Sequence, residues 1–312
     1  MCRILVTDSS VFLKEAQQTL KLGGPDDQNR FDQNGVIFYH TRLSIQGIGN
    51  VGKQPVIKND IILLFNGEIY NKTYLEKKYF KSKKYECDTY LVFDLINKFG
   101  YKVIDDFEGM FSIVWKNKNL DHFFIARDIF GKKPLYIKNS ISNWFLSSQY
   151  DWYNSPEPYS EIFKVFGFYP EPLTAFDDVS VVPSGTVQKF TPGKKLETIY
   201  KLSIKSNRCD LSEALISDVP VALAYSAGVD SSVLSEIFKD KVENLSIGLL
   251  PKHAKKPSHI ITLSKSEYKE FLKRWKSLKG SKHSIDGFNT FVLTDICKKK
   301  KYKVVISGAG GD

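Results

Sequence analysis

The chain has only four cysteines and two methionines in 312 residues, and no Cys-x-x-Cys pair. Cys2, Cys87, Cys209 and Cys297 lie far apart. That spacing excludes a disulfide framework and a cysteine-based zinc site, and fits a reducing, cytoplasmic setting. No window approaches the roughly 18 consecutive apolar residues of a membrane span, and mean hydropathy is −0.26. The first residues lack a basic stretch followed by an apolar one, so no secretory signal is expected. With 42% hydrophobic and 13% aromatic residues, the composition is not that of a disordered or collagenous chain. At roughly 100–200 residues per domain, the length suggests two domains, each able to bury a core.

The net charge of +10 is unevenly placed. Residues 239–312 carry 17 Lys and Arg against 7 Asp and Glu, whereas the first 238 residues are balanced. A basic segment can serve a nucleic acid, a polyphosphate pocket or simply a solvated face. Here the lysines are interspersed with Ser, Leu and Tyr, and only Lys298–Lys301 form a run. The solvated face is the plainest reading, and a nucleic-acid partner is not expected.

Hydrophobic periodicity divides the chain at a linker near residues 200–212. Before it, Val36–His40 and Ile61–Phe65 read as strands. Asp88–Lys98 reads as a helix stopped by Gly100. Phe111–Trp115 and His122–Ala126 read as paired strands around a turn. Beyond the linker, Val219–Ala224 is a continuous apolar run, as in a strand covered on both faces. A glycine turn, a helix at Ser231–Phe238 and buried strands at Asn244–Leu249 and Lys303–Ile306 follow. That order predicts an open α/β sheet with a ligand site at its strand ends.

Two groups of residues can carry chemistry. Once Met1 is removed, Cys2 bears a thiol and a free α-amine, with unperturbed pKa values near ~8.5 and ~7.7–8.0, so one residue can supply nucleophile and base. Asn66-Gly67, read as a turn after an apolar strand, would aim an amide side chain and a backbone N–H at the oxyanion of a thioester-forming reaction. Arg42, Glu68 and Asp88 offer one cation and two anions for the carboxylate and ammonium of an α-amino acid. Taken singly, each is also what a hairpin turn or a solvated surface would show. The second group is Ser226-Ala227-Gly228-Val229-Asp230-Ser231-Ser232, between an apolar strand and a helix. Its small residues and helix N-terminus suit a pyrophosphate, and Asp230 suits Mg²⁺. It lacks the Gly-Lys-[Ser/Thr] of a Walker A loop, and an ordinary helix cap is its plain alternative.

These strings occur in order with others: Met1-Cys2, Arg42-Leu43-Ser44-Ile45, Asn66 to Asn71, Ala126-Arg127-Asp128 through Gly131-Lys132-Lys133-Pro134-Leu135-Tyr136, and Ser226 to Ser232. Over nearly the whole chain they resemble the glutamine-hydrolysing asparagine synthetase family. The resemblance implies an α+β N-terminal-nucleophile hydrolase sandwich (αββα) as a class II glutamine amidotransferase domain over 1–199. An α/β ATP-pyrophosphatase (PP-loop) domain, partial and of the adenine nucleotide α-hydrolase type, would follow over 200–312. It further implies that Cys2 attacks the carboxamide of glutamine, that Asn66 and Gly67 form the oxyanion hole, that Arg42 holds the glutamine carboxylate and that Glu68 and Asp88 hold its ammonium. Ammonia would cross an apolar tunnel to an aspartate activated by ATP as an acyl-adenylate. Tyr225, Ser226, Gly228, Asp230, Ser231, Ile247, Ser307 and Gly308 would bind ATP, and Asp230 and Asp312 Mg²⁺.

The family's pattern is departed from at several places. Arg3 follows Cys2 where the family has Gly; Gly23 precedes Gly24-Pro25-Asp26 where it has Arg; Ala227 stands in the Ser-Gly-Gly of its loop; Ala309 replaces an acidic residue. The stretch from Ser226 to Ser307 is short, without a clear aspartate-binding segment, and the last motif ends at Asp312. A homodimer or a second chain covering the sheet edge is therefore an expected partner. Three functions stay open: a glutamine-dependent asparagine-synthetase-like ligase, a glutaminase or amidotransferase with a different carboxylate acceptor, and a non-catalytic binding protein with a decayed synthetase site.

Overall fold

Strands buried on both faces set the layers of this computed structural model, which describes residues 2–81, 83–204, 211, 215–247, 259–276 and 285–308. The chain divides into two compact units, Met1–Cys209 and Asp210–Asp312. In the first, the elements run β1 (Arg3–Thr7), α1 (Ser10–Gly23), β2 (Asp27–Gln33), β3 (Val36–Arg42), β4 (Val56–Lys58), β5 (Ile61–Ile69), α2 (Lys72–Phe80), α3 (Asp88–Phe99) and a 3-10 turn at Tyr101–Asp106. They continue with β6 (Gly109–Asn117), β7 (Phe123–Arg127), β8 (Tyr136–Lys138), β9 (Phe145–Ser147), α4 (Ser160–Phe166), β10 (Val179–Val181), β11 (Thr186–Phe190) and β12 (Glu197–Lys201).

Two six-stranded antiparallel sheets result, ordered β10-β8-β9-β1-β3-β2 and β12-β11-β7-β6-β5-β4. Successive strand residues point to opposite faces, so each sheet feeds two cores. Ile4, Val6 and Phe38 of the first sheet join Ile62, Leu64, Val114, Phe123 and Ile125 of the second in the layer between them. Leu5, Ile37 and Tyr39 face outward onto Leu13, Ala16 and Leu20 of α1. Leu63, Phe65, Ile113 and Trp115 face outward onto Leu75 and Leu91 and the rest of the α2–α3 layer. The order helix, sheet, sheet, helix is the αββα sandwich that the family resemblance implied.

The helices are placed by local signals. Ser9 caps α1 by accepting from the Phe12 N–H, an arrangement contributing about 1 kcal/mol. In α3, Leu91, Val92, Leu95 and Ile96 form one buried face. Gly100, at φ +72°, ends that helix in a conformation glycine adopts without strain.

The second unit holds β13 (Val221–Ala224), α5 (Val229–Ile237), β14 (Val242–Ile247), β15 (His259–Ile261), α6 (Lys265–Lys276), α7 (Ile285–Lys299) and β16 (Val304–Ser307). Its four strands are parallel, in the order β15-β14-β13-β16. The chain steps one way from β13 to β14 and β15, then returns to β13's other side. α5 starts at Val229, two residues before the expected Ser231. No helix among the described residues is long and apolar enough to cross a membrane.

Candidate active site

The inner face of the sandwich collects the first group of candidates. Continuing the alternation of β1 puts Cys2 on the same side as Ile4 and Val6; alternation along β5 puts Asn66 and Glu68 with Ile62 and Leu64. β1 and β5 approach each other across that layer. The half-buried Cys2 thiol contacts the residue just after β3: Sγ accepts the Leu43 N–H at 3.4 Å and faces the Leu43 carbonyl at 3.6 Å. Burial pushes the thiol pKa up, the Leu43 contact and Lys133 pull it down, and Asp88 raises it.

Asn66-Gly67 is not a turn. Both residues lie inside β5, opposite Ser112 and Phe111 of β6. The local turn preference of the dipeptide is overridden by this long-range ladder, and the glycine answers a different need. A Cβ on Gly67 would stand 2.3 Å from the Met110 carbonyl oxygen and 2.7 Å from Phe111 Cα. Asn66 is 1% exposed, and neither polar atom of its carboxamide has a hydrogen-bond partner. A buried amide in that state has hydrogen-bonding capacity that its protein neighbours do not use.

Arg42, at the end of β3, is buried and organises the loop that follows. Its Nη1 donates to the Gly49 carbonyl at 2.8 Å, and Nη2 donates to the carbonyls of Gln46, at 3.3 Å, and Gly47. A guanidinium has five N–H donors, so this leaves two. Gln46 continues the chain of contacts, its Nε2 donating to Glu68 Oε1 at 3.4 Å. Asp88, the first residue of α3, accepts from the Ile69 N–H at 3.2 Å and is tied to the end of the strand that bears Glu68. Burial raises its pKa to about 6, against the pull of the Ile69 and Thr89 amides and of Lys72. Cys2, Arg42, Glu68 and Asp88 thus border one region, joined through Leu43, Gln46 and Ile69.

Close packing also shapes the segments beside two of the departures, Gly23 and Arg3. A Cβ on Gly24 would lie 2.2 Å from the Thr41 carbonyl carbon. That close approach lets the Asp26 N–H reach the Arg42 carbonyl at 2.9 Å, while Asp26 Oδ2 accepts from the Ser44 N–H at 2.7 Å. Arg3 takes the opposite face from Cys2; its pKa is lowered by burial, with Asp151 and Tyr136 as its nearest compensation.

The structure adds two residues to the site. Lys133 is 3% exposed, and its pKa is lowered by burial while Glu68 and Cys2 raise it. Asp128 positions it by accepting from the backbone N–H groups of Phe111, Phe130, Lys132 and Lys133. Its signal was its place within the Gly131–Tyr136 string. Gln46, two residues after Ser44, had no comparable signal.

In the second unit, Tyr225, Ile247 and Ser307 fall at the carboxyl ends of β13, β14 and β16. The Tyr225 N–H donates to the Leu245 carbonyl at 2.8 Å and its own carbonyl accepts from Ser246 Oγ at 2.6 Å. The Ser226–Ser231 loop closes on itself: the Ser226 and Ser231 hydroxyls are 3.2 Å apart, the Gly228 N–H donates to Ser226 Oγ and Ser231 Oγ donates to the Gly228 carbonyl. Gly308 comes against this loop, where a Cβ would sit 2.6 Å from Asp230 Cβ. Ser226, Gly228 and Asp230 remain exposed. The small, close-packed cradle with one exposed carboxylate fits the phosphates of a nucleotide and their Mg²⁺ in its chemistry. Among the described residues, no three His, Cys, Asp or Glu are grouped to hold a metal by themselves. Asp312 and Ala309 lie outside the described residues.

A family model described as a glutamine amidotransferase domain matches residues 1–201. The chain belongs to that family. The chain is 24% identical over 366 residues to the putative glutamine-hydrolysing asparagine synthetase 2 of Methanocaldococcus jannaschii, covering 96% of this chain and 71% of that protein. It is 30% identical over 268 residues to the probable asparagine synthetase of Dictyostelium discoideum, covering 78% and 46%, and 26% identical over 263 residues to asparagine synthetase B of Escherichia coli, covering 77% and 45%. The chain therefore spans less than half the length of two of these three relatives. The solved structure titled as the allosteric regulatory enzyme of purine biosynthesis aligns with TM-score 0.46 and 12% identity, over 99% of this chain and 80% of that one.

Proposed function

We propose that the first unit releases ammonia from glutamine, with Cys2 as its nucleophile. The observation that carries this reading is the unpartnered Asn66 carboxamide, which strand alternation places on the same inter-sheet layer as Cys2, beside Ile4, Val6, Ile62 and Leu64. Burial holds the thiol protonated near neutral pH, so attack needs a base. The α-amine of Cys2, freed by removal of Met1, is that base. Sulfur bonds to the side-chain carbonyl carbon of glutamine while the π pair moves to oxygen. Asn66 Nδ2 and the Gly67 N–H stabilise that oxyanion. Collapse breaks the carbon–nitrogen bond, the amine proton leaves with ammonia, and water cleaves the thioester to glutamate. Arg42 uses its remaining donors on the glutamine carboxylate, and Glu68 and Asp88 receive the ammonium.

The second unit, on this reading, takes ATP with Mg²⁺ at Tyr225, Ser226, Gly228, Asp230, Ser231, Ile247, Ser307 and Gly308, with Asp230 and Asp312 serving the metal. Support comes from the reversal of strand order beside β13, since open α/β sheets bind ligands outside their strands' carboxyl ends at such points. The acceptor is a carboxylate, aspartate if it follows the named activity of the relatives. Hydrolysis of glutamine to glutamate by purified protein, its loss in Cys2→Ala, and an intact mass lacking Met1 in active material test the first unit. Undiminished turnover in Cys2→Ala would overturn the assignment. Calorimetric titration of ATP with Mg²⁺ tests the second, and absence of binding would remove it.

A further inference from the structure

Asn66 has a neighbour in the same unpaired condition. Ser112 lies directly opposite it in the β5–β6 ladder. Alternation with Val114 puts Ser112 on the inter-sheet face that Asn66 shares with Leu64. Ser112 is fully buried, and its Oγ has no hydrogen-bond partner. The other neighbour of β5, β4, pairs only with Ile61, Ile62 and Leu63, so within the sheet Ser112 is the side chain across from Asn66. Directly opposed Cβ atoms are ~4.5–5.5 Å apart, a span that a hydroxyl and a carboxamide close by side-chain rotation. Each buried polar atom left unmatched has given up water without recovering a hydrogen bond.

We propose that Ser112 is a positioning residue for Asn66, its hydroxyl donating to Asn66 Oδ1 and thereby turning Nδ2 toward the oxygen of the adduct on Cys2. The proposal rests on the glutaminase reading above. A carboxamide has a donor end and an acceptor end. Turned by half a revolution, Asn66 would aim an oxygen at the developing oxyanion and repel it. An oxyanion donor works because its orientation is fixed before charge develops, and an Asn with no partner has nothing to fix it.

Ser112→Thr and Ser112→Val, equal in shape and differing by the hydroxyl, provide the test, with Ser112→Ala as the variant least able to disturb the core. Removing a whole oxyanion donor costs ~10²–10³ in kcat; misorienting one is expected to cost about tenfold. Val and Ala should therefore lower kcat for glutamine hydrolysis about tenfold with KM within about twofold, while Thr keeps kcat near the parent value. The aldehyde analogue of glutamine, which adds the Cys2 thiol across its carbonyl to give a tetrahedral adduct, should lose affinity in Val and Ala by the same factor. In an Asn66→Ala background, Ser112→Ala should cause no further loss. Unchanged kcat in a folded Ser112→Ala, or an equal fall in Thr and Val, would overturn the positioning role while leaving the glutaminase reading intact. A parent protein without Cys2-dependent hydrolysis would overturn the reading on which it stands.

Discussion

Asp88 opens α3 with its carboxylate bonded to the Ile69 N–H at 3.2 Å, fastening the helix to the end of β5. The same burial that makes this contact lifts its pKa from near ~3.9 to about 6. The raised value has two consequences of opposite sign. Protonated Asp88 is favoured in the folded state, so its contribution to stability is full below the unfolded pKa and is lost as pH rises through about 6. A glutamine ammonium needs the ionised form. The kcat/KM for glutamine should therefore rise across that interval, with an acidic limb near pH ~6. Asp88→Asn should flatten the dependence of the denaturation midpoint on pH and remove the limb along with most activity. A parent profile without a limb between about pH 5 and 7 would count against Asp88 as an ammonium ligand.

Gly67 answers to crowding, and a methyl group there tests it. An added Cβ meets backbone, the Met110 carbonyl oxygen at 2.3 Å and Phe111 Cα at 2.7 Å, so no side chain can move aside. Overpacking of this kind costs typically ~1–3 kcal/mol, and Gly67→Ala should sit at the upper end because strands must separate. Its melting temperature should fall by several degrees, measured beside the parent. An unshifted transition would show that β5 and β6 are not held so closely.

Much of the sandwich was legible because its signals are local. Ile61–Phe65 announces itself as a continuous apolar run and Asp88–Lys98 by a helical face; the strand runs on four residues further, to Ile69, and the helix one, to Phe99. β2 was not, since Asp27–Gln33 is a polar edge strand in which only Phe31 packs on a core. The three-residue strands β4, β8, β9 and β10 are too brief to show a period. At the site, residue identities were legible while their pairing was not. The Cys2–Leu43 contact spans 41 positions, and the Asn66–Ser112 opposition depends on a ladder that no local rule supplies. The same ladder is why Asn66-Gly67 read as a turn and folds as a strand.

Arg42 joins two tasks that substitution can separate. Three of its donors hold the Gln46, Gly47 and Gly49 carbonyls, and on the glutaminase reading the rest meet a carboxylate. Lysine keeps the charge but lacks the planar fork. Arg42→Lys should fold, release the 46–49 loop and raise KM for glutamine about 10-fold or more, since a bidentate contact and the Gln46–Glu68 bond weaken together. Steady-state kinetics over a range of glutamine concentrations would read this. A KM within twofold of the parent would place the glutamine carboxylate elsewhere.

Ala227 sits at φ +63° in the loop after β13, the left-handed region where a Cβ costs roughly 1–2 kcal/mol. The family that the loop resembles has glycine there, so this chain carries strain within the loop proposed to take the nucleotide. Ala227→Gly removes the strain but adds freedom to the unfolded chain, an offset of about 0.4–1 kcal/mol. The difference predicts a net gain of between about 0 and 1.6 kcal/mol, read from urea denaturation of the second unit. Glycine also lets the Ala227 and Gly228 N–H groups turn inward at no steric cost, so ATP with Mg²⁺ should bind Ala227→Gly more tightly than the parent. A variant that is less stable than the parent would mean that the loop holds its conformation without strain. A variant that is more stable but unchanged toward ATP would separate the backbone argument, which would stand, from the nucleotide site, which would not.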